Sequence, residues 1–258
     1  MLSRKNTWEK LLSFGVVQGE MPESKWDLRG LNLRGKNLSE ADLRESDLMD
    51  ADLREATMIV PNLTGANLQG ANLEGANISG GLMVSANFAK ANLKRVKMND
   101  AFLSYCSLNE ANLTEAVLNG AHIIAGDLTR ANLFGAEIIG AELSGAKIRY
   151  ANLKNTNLSK TDFNNADLTE ADLSFSNLTK AILCNANLER AILSEAIMAE
   201  TDMEDARLYE TDLSNTDLRQ TINLSIEQLI TVKSLNSSKI KEDYIEYLHT
   251  NYPNLFAL

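Results

Sequence analysis

The chain has 258 residues and a formal net charge of -10, with 35 acidic side chains against 25 basic ones. That balance excludes direct nucleic-acid binding as the primary role, because neutralising phosphates takes clustered Lys and Arg. No apolar run approaches the roughly 20 residues of a membrane span, and two cysteines, Cys106 and Cys184, are too few for a disulfide-stapled secreted domain. The expected location is cytoplasmic.

Residues 1–25 form the first segment. Leu11 to Val17 is a short apolar stretch behind Arg4, Lys5 and Lys10, but Trp8 and Glu9 interrupt the basic region and no small-x-small cleavage site follows. The helical spacing of Trp8, Leu11 and Leu12 predicts instead a short helix over Thr7 to Phe14 that covers one end of what comes next.

The second segment, residues 26–220, is one unbroken repeat. From Leu28 to Leu218 every fifth residue is Leu, Ile, Met or Phe, 39 positions in a row with 28 leucines. A period of five is neither helical nor that of a plain strand, so the segment is read as a repeat architecture. In the unit 71–75, Ala-Asn-Leu-Glu-Gly, Ala71 and Leu73 share a face and Asn72 points the other way. The next inward residue, Ala76, comes three positions later, so the chain must turn a corner at Glu74-Gly75. Glycine there suits the positive φ of a type II turn. Repeated corners wind the chain about an axis, with large residues at the centre, Ala beside them, and Asp or Asn outside to bond nearby backbone. The first small slots hold Trp26, Leu31 and Lys36, which marks an atypical opening coil.

The phase breaks after Gln220. Ser225-x-x-Gln228 reads as a capping box for a short helix. A second helix is expected to start at Ser237 or Ser238, to carry Ile240, Tyr244, Tyr247 and Leu248 as its apolar stripe, and to stop near Asn251 ahead of Pro253. Residues 221–258 are therefore read as a helical cap, with Ile182, Ile192 and Ile197 under the folded-back tail.

The A-(D/N)-L-x-x signature, as in Ala41-Asp42-Leu43 and Ala91-Asn92-Leu93, resembles the pentapeptide-repeat proteins over about three quarters of the chain. The resemblance implies an all-β solenoid, a right-handed quadrilateral β-helix with four pentapeptides to a coil. Twenty residues per coil give about 9.75 coils and a length of roughly 47 Å. Cys106 and Cys184 would then lie about 19 Å apart, too far for a disulfide. It also implies that the C-terminal tail could pair two copies into a homodimer, as in some relatives.

No catalytic constellation is present in the sequence, and neither a cofactor nor a metal is expected. His122 and His249 have no Cys, His or acidic partner at metal-ligand spacing, and no phosphate loop, nucleophile elbow or carboxylate pair appears. The chain is not expected to be an enzyme.

With four units per coil, residues 20 apart stack in columns. The side whose centre begins at Leu43 sums to -6 and is uneven along its length. From Leu63 to Ile123 it has no charge and carries Leu82, Val84, Phe102, Tyr105, His122 and Ile124, a candidate protein interface. Ile59 and Val60 adjoin it. Further along, Glu142, Asp162, Asp202, Glu204 and Asp205 form a candidate acidic strip.

Two functions follow as expectations. The first is a rigid, non-enzymatic protein-interaction module for an unidentified protein partner, with no direct nucleic-acid or membrane binding. The second, implied by the resemblance alone, is an acidic DNA mimic that occupies DNA gyrase or another type II topoisomerase and protects it from quinolones. B-DNA carries about one charge per 1.7 Å, or about 28 over this length, so a net -10 is about a third of that density.

Overall fold

The computed structural model describes residues 2–257. Its repeat is held by parallel backbone bridges between outward residues 20 apart, such as Asn72 with Asn92 and Asn92 with Asn112. One coil is therefore four pentapeptides, with four sides and four corners. All 39 central residues from Leu28 to Leu218 are buried at 2% exposure or less, and the alanine slots beside them are buried as well.

Each pentapeptide uses its backbone twice. The N–H of Leu73 donates to Asn92 O at 2.7 Å in the following coil, and Asn92 N donates back to Ala71 O at 2.9 Å. Ala76 N then closes the corner on Leu73 O at 2.9 Å. The second corner residue has positive φ at 38 of 39 corners, 28 of them non-glycine. Each non-glycine residue held there costs on the order of 1–2 kcal/mol. The hydrogen bond from its N–H to the next coil, such as Glu55 to Glu74 O at 2.9 Å, offsets that cost.

The outward Asp and Asn stitch the corners. Asn72 Oδ1 accepts from Glu74 N at 3.1 Å, and Asn92 Nδ2 donates to Asn72 Oδ1 at 3.0 Å. Threonines in the small slot stay satisfied although buried, as where Thr161 Oγ1 donates to Ile138 O at 2.6 Å. Burial pushes the Cys106 thiol up to about 12, and both cysteines are free.

At the N-terminus, α1 (Arg4–Ser13) starts from Ser3, whose Oγ accepts from Asn6 N. Trp8 and Leu11 are buried against the opening coil, with Trp8 5.3 Å from Trp26. The third inward residue is Thr7, not Leu12, which is exposed. Thr7 Oγ1 accepts from Asp42 N at 2.9 Å, supplying the acceptor that a preceding coil would have provided.

At the other end the last rung in phase is Asp202 with Ile222. The chain then leaves for α2 (Ile226–Leu229), with the expected Ser225–Gln228 capping box, and returns two residues out of phase. Ser234 bridges Asp212 and Lys239 bridges Asp217, with Leu235 and Ile240 buried below Leu213 and Leu218. The second helix, α3 (Glu242–Asn251), thus begins at Glu242 rather than at Ser237 or Ser238, because Ser237 turns a further corner at φ 56. Ile240 belongs to a rung and not to the helical stripe, and Tyr247 is exposed. Leu248 is buried, Tyr244 Oη donates to Leu224 O at 3.2 Å, and a 3₁₀ turn at Pro253–Phe256 brings Leu255 O to Leu235 N at 2.6 Å. Ile182, Ile192 and Ile197 do not lie under the tail. They are exposed, Ile197 at 56%, because the tail packs on the end of the solenoid and not along its sides.

Gln228 Nε2 donates to Ala206 O at 2.9 Å, a carbonyl that another coil would otherwise serve, and to Met203 O at 2.8 Å, which also accepts from its own corner at Ala206 N. Gln228→Ala is expected to cost about 1–3 kcal/mol, lowering the thermal midpoint by about 2–4 °C for each of them. An unchanged midpoint by circular dichroism would show that this side chain does not close the end.

Candidate protein-interaction surface

The side centred on Leu43, Leu63, Met83, Leu103, Ile123, Leu143, Phe163, Leu183 and Met203 presents one outward column. Bridges run without a break from Asp42 through Asn62, Leu82, Phe102, His122, Glu142, Asp162, Ile182 and Asp202 to Ile222. The backbone course does not change when the side chain does, because inward packing and coil-to-coil bonds fix each rung. The column is a straight rack on which outward side chains vary freely.

Where the column keeps Asp or Asn, the side chain serves its own corner. Asn62 Oδ1 accepts from Thr64 N at 3.1 Å, Asp162 Oδ1 from Asn164 N at 2.8 Å, and Asp202 Oδ1 from Glu204 N at 3.2 Å. Leu82, Phe102 and His122 cannot accept that bond. Instead the Phe102 and His122 rings stack at 4.8 Å and 7°. Phe102 is 42% exposed and Tyr105, on the neighbouring corner, 67%. Ile124 is exposed too, Leu82 and Val84 are half-buried, and Ile59 and Val60 continue the apolar surface around the corner.

His122 does have an acidic partner, contrary to its reading from linear spacing. Its Nδ1 lies 2.8 Å from Glu142 Oε2, one coil away. The pair joins the apolar part of the column to the acidic part. Below it, Asp162, Asp202, Glu204 and Asp205 have no Lys or Arg partner among the described residues. Ile182 interrupts these acids at 37% exposure and Ile222 follows them. At the foot, Glu204 and Asp205 line an open groove with Tyr209 and, from α2, Glu227.

Several acids elsewhere, and one at the head of this side, are instead clamped by a neighbouring arginine. Asp27 with Arg29, Asp52 with Arg54 and Asp217 with Arg219 form two-pronged clamps with Nη2–Oδ2 distances of 2.6 Å. The Arg219 guanidinium holds the Asp217 carboxyl down at about 2. Asp42 is clamped likewise by Arg44 at 2.7 Å.

Cys184, Asp202 and Glu204 are the one grouping with metal-ligand chemistry among the described residues, their ligand atoms within 4.8 Å of one another. Burial and the neighbouring Asp202 and Glu204 carboxylates push the thiol up, which opposes the thiolate a metal needs. The sequence puts Ile182 under the tail rather than in this column, and does not single out Ile222 or the groove of Tyr209 and Glu227. Sorting residues by twenties exposes the first two, whereas the groove depends on where α2 folds.

The pentapeptide-repeat family model matches eight copies, spanning residues 27–58, 62–80, 86–123, 111–149, 127–165, 148–184 and 181–220. No curated protein matches the chain. Among solved structures it is similar to HetL, a pentapeptide repeat protein involved in heterocyst differentiation regulation from the cyanobacterium Nostoc sp. strain PCC 7120. That likeness has 29% identity, covers 81% of this chain and 95% of HetL, and has a TM-score of 0.56. A trypsin-treated form of QnrB1, a plasmid-mediated fluoroquinolone resistance protein, matches at 18% identity over 74% of this chain and 95% of its own, with a TM-score of 0.45. A pentapeptide repeat protein of the Arabidopsis thaliana thylakoid lumen matches at 22% identity over 56% and 70%, with a TM-score of 0.19. These neighbours are pentapeptide repeat proteins, which form right-handed quadrilateral β-helices and are generally structural or interaction modules. With its repeat matched from residue 27 to residue 220, this chain belongs to the pentapeptide-repeat family.

Proposed function

We propose that the protein is a non-catalytic interaction module that recognises a protein partner through the Leu82–Phe102–His122 column and its corners. The observation that carries this reading is the stack itself. Three successive rungs give up the corner bond that Asn or Asp makes elsewhere and expose a ring stack with Tyr105 beside it. Scattered exposed apolar residues need no explanation, but these are contiguous in space. A surface held rigid by the ladder loses little entropy on binding. HetL, at 29% identity, is a member of the family tied to regulation, which accords with a binding role. In this reading α1, α2 and the α3 tail are caps, since solenoid ends need closing, and the coils number about 9.75 plus the two out-of-phase rungs. No helix among the described residues is long and apolar enough to cross a membrane.

The DNA-mimic alternative is less well supported. Mimicry calls for unpaired charge spread along the rod. Here several acids, among them Asp27, Asp52 and Asp217, are clamped by arginines, and this side carries no charge at all from Leu63 to Phe102 and on to Tyr105. Supercoiling by purified DNA gyrase, with or without a fluoroquinolone, is expected to be unchanged at micromolar protein, and inhibition or protection would overturn that preference. For the interface, a photo-crosslinking residue placed at Tyr105 is expected to give a discrete protein adduct in the native host. The adduct should vanish in the Phe102→Ser background, while the same probe at Glu74 on another side gives none. Equal crosslinking from both positions would refute the assignment.

A further inference from the structure

The column has two chemistries in a fixed order on one straight line. Apolar and aromatic residues occupy the rungs of Leu82, Phe102 and His122, and acids occupy those of Glu142, Asp162 and Asp202, with Ile182 between them. We infer that this side binds a basic amphipathic helix of the partner protein, with its apolar end on Phe102 and Tyr105 and its Lys or Arg residues on Asp162, Asp202, Glu204 and Asp205. The inference rests on the proposed interface and adds the chemistry and direction of its occupant.

The choice of a helix follows from the backbone. Each rung on this side already bonds the coil above and the coil below, as Phe102 N does to Gly81 O at 2.9 Å while Leu103 N bonds His122 O at 2.7 Å. No N–H or C=O edge runs along the side, so an extended peptide cannot add itself as a strand. What the side offers is side chains alone, in rows about 4.8 Å apart. A helix presents one face in turns of about 5.4 Å, so it drifts from the rungs by about 3.6 Å over six of them, a distance that long basic side chains span. From Leu82 to Asp202 is about 29 Å at 4.8 Å a rung, the length of about 19 helical residues.

Charge selects a basic occupant. Asp162, Asp202, Glu204 and Asp205 lack cationic partners among the described residues, and the groove at the foot adds Glu189 and Glu227 against a single cation, Arg207. Long basic side chains can lay their methylenes on Ile182 and Ile222 while their charged heads reach these carboxylates. A second copy of the chain fits poorly. Two-fold pairing centred on Phe102 would set Asp162 against Asp42, whose own cation, Arg44, is already clamped to it. It would turn Asp202, Glu204 and Asp205 toward the α1 end, where Arg4 is already held by Arg44 O and Ser24 O and Lys5 by Glu9.

The probe is a fluorescein-labelled, alanine-based 19-residue peptide with a Leu/Phe stripe and four lysines confined to one end, titrated with the full chain and read by anisotropy. Two further peptides carry Gln or Glu in place of the lysines. The lysine peptide is expected to bind at least tenfold more tightly than the glutamate peptide at low salt. The Asp202→Asn/Glu204→Gln/Asp205→Asn variant should lose about tenfold for the lysine peptide, and that loss should disappear at 1 M salt, where the screening length is about 3 Å. Phe102→Ser/Tyr105→Ser should weaken binding at both salt concentrations. Circular dichroism checks that both variants keep the fold. No binding of the lysine peptide, equal binding of the lysine and glutamate peptides, or an acidic-strip variant that binds as wild type each overturns the inference. If the glutamine peptide binds as well as the lysine peptide and Phe102→Ser/Tyr105→Ser abolishes both, the interface stands and the basic partner falls. If Phe102→Ser/Tyr105→Ser changes nothing, the interface assignment falls with it.

Discussion

The structure depends on one constraint: the backbone of each pentapeptide is bonded to residues about twenty before and twenty after it, and its large side chain has nowhere to go but the centre. The Leu73–Asn92 and Asn92–Ala71 bonds are repeated in kind from rung to rung. Together with the buried central residue they set the corner geometry, including positive φ at residues as unsuited to it as Val60 and Phe175. A side chain outside the coil therefore has almost no influence on the path of the chain. That independence lets one side carry an apolar stack over three rungs, another carry Lys97, Val117 and Glu137, and the rest keep clamps and amide ladders.

The same constraint explains how much could be read from residues alone. The central positions are legible because packing tolerates no polar residue there, the small slots because they take little beyond Ala, Gly, Cys, Ser and Thr, and the ladder turns a period of five into a period of twenty. The apolar column and the acidic strip became visible once residues were sorted by twenties, and the bridges place them in line. The pairing of His122 with Glu142 was missed because linear spacing of metal or charge partners assumes a helix or a hairpin, not a coil of twenty. Leu235 and Ile240 were missed for a different reason. They still sit five apart, but α2 adds two residues before them, and a slip of two hides the rungs of Ser234 and Lys239 among helical signals. The same slip put the start of α3 several residues too early.

Functional assignment comes from departures rather than from the repeat. An Asn at position 82, 102 or 122 would accept a bond from its own corner and extend the amide ladder seen at Asn72 and Asn92. Each such bond contributes about 0.5–1.5 kcal/mol, so Leu82, Phe102 and His122 hold their places at some cost to the coil, partly returned by the ring stack. Residues that weaken their own scaffold while facing solvent are where recognition is expected. By contrast the Asp–Arg clamps and buried threonines strengthen the coil and need no partner to account for them.

A column that serves recognition can be replaced without loss to the fold. Thermal unfolding of the Leu82→Asn/Phe102→Asn/His122→Asn variant tests it most directly. Restored corner bonds worth about 0.5–1.5 kcal/mol each should leave the midpoint unchanged or raise it by several degrees. A midpoint lowered by several degrees would show that these side chains hold the coil together, and would contradict the account.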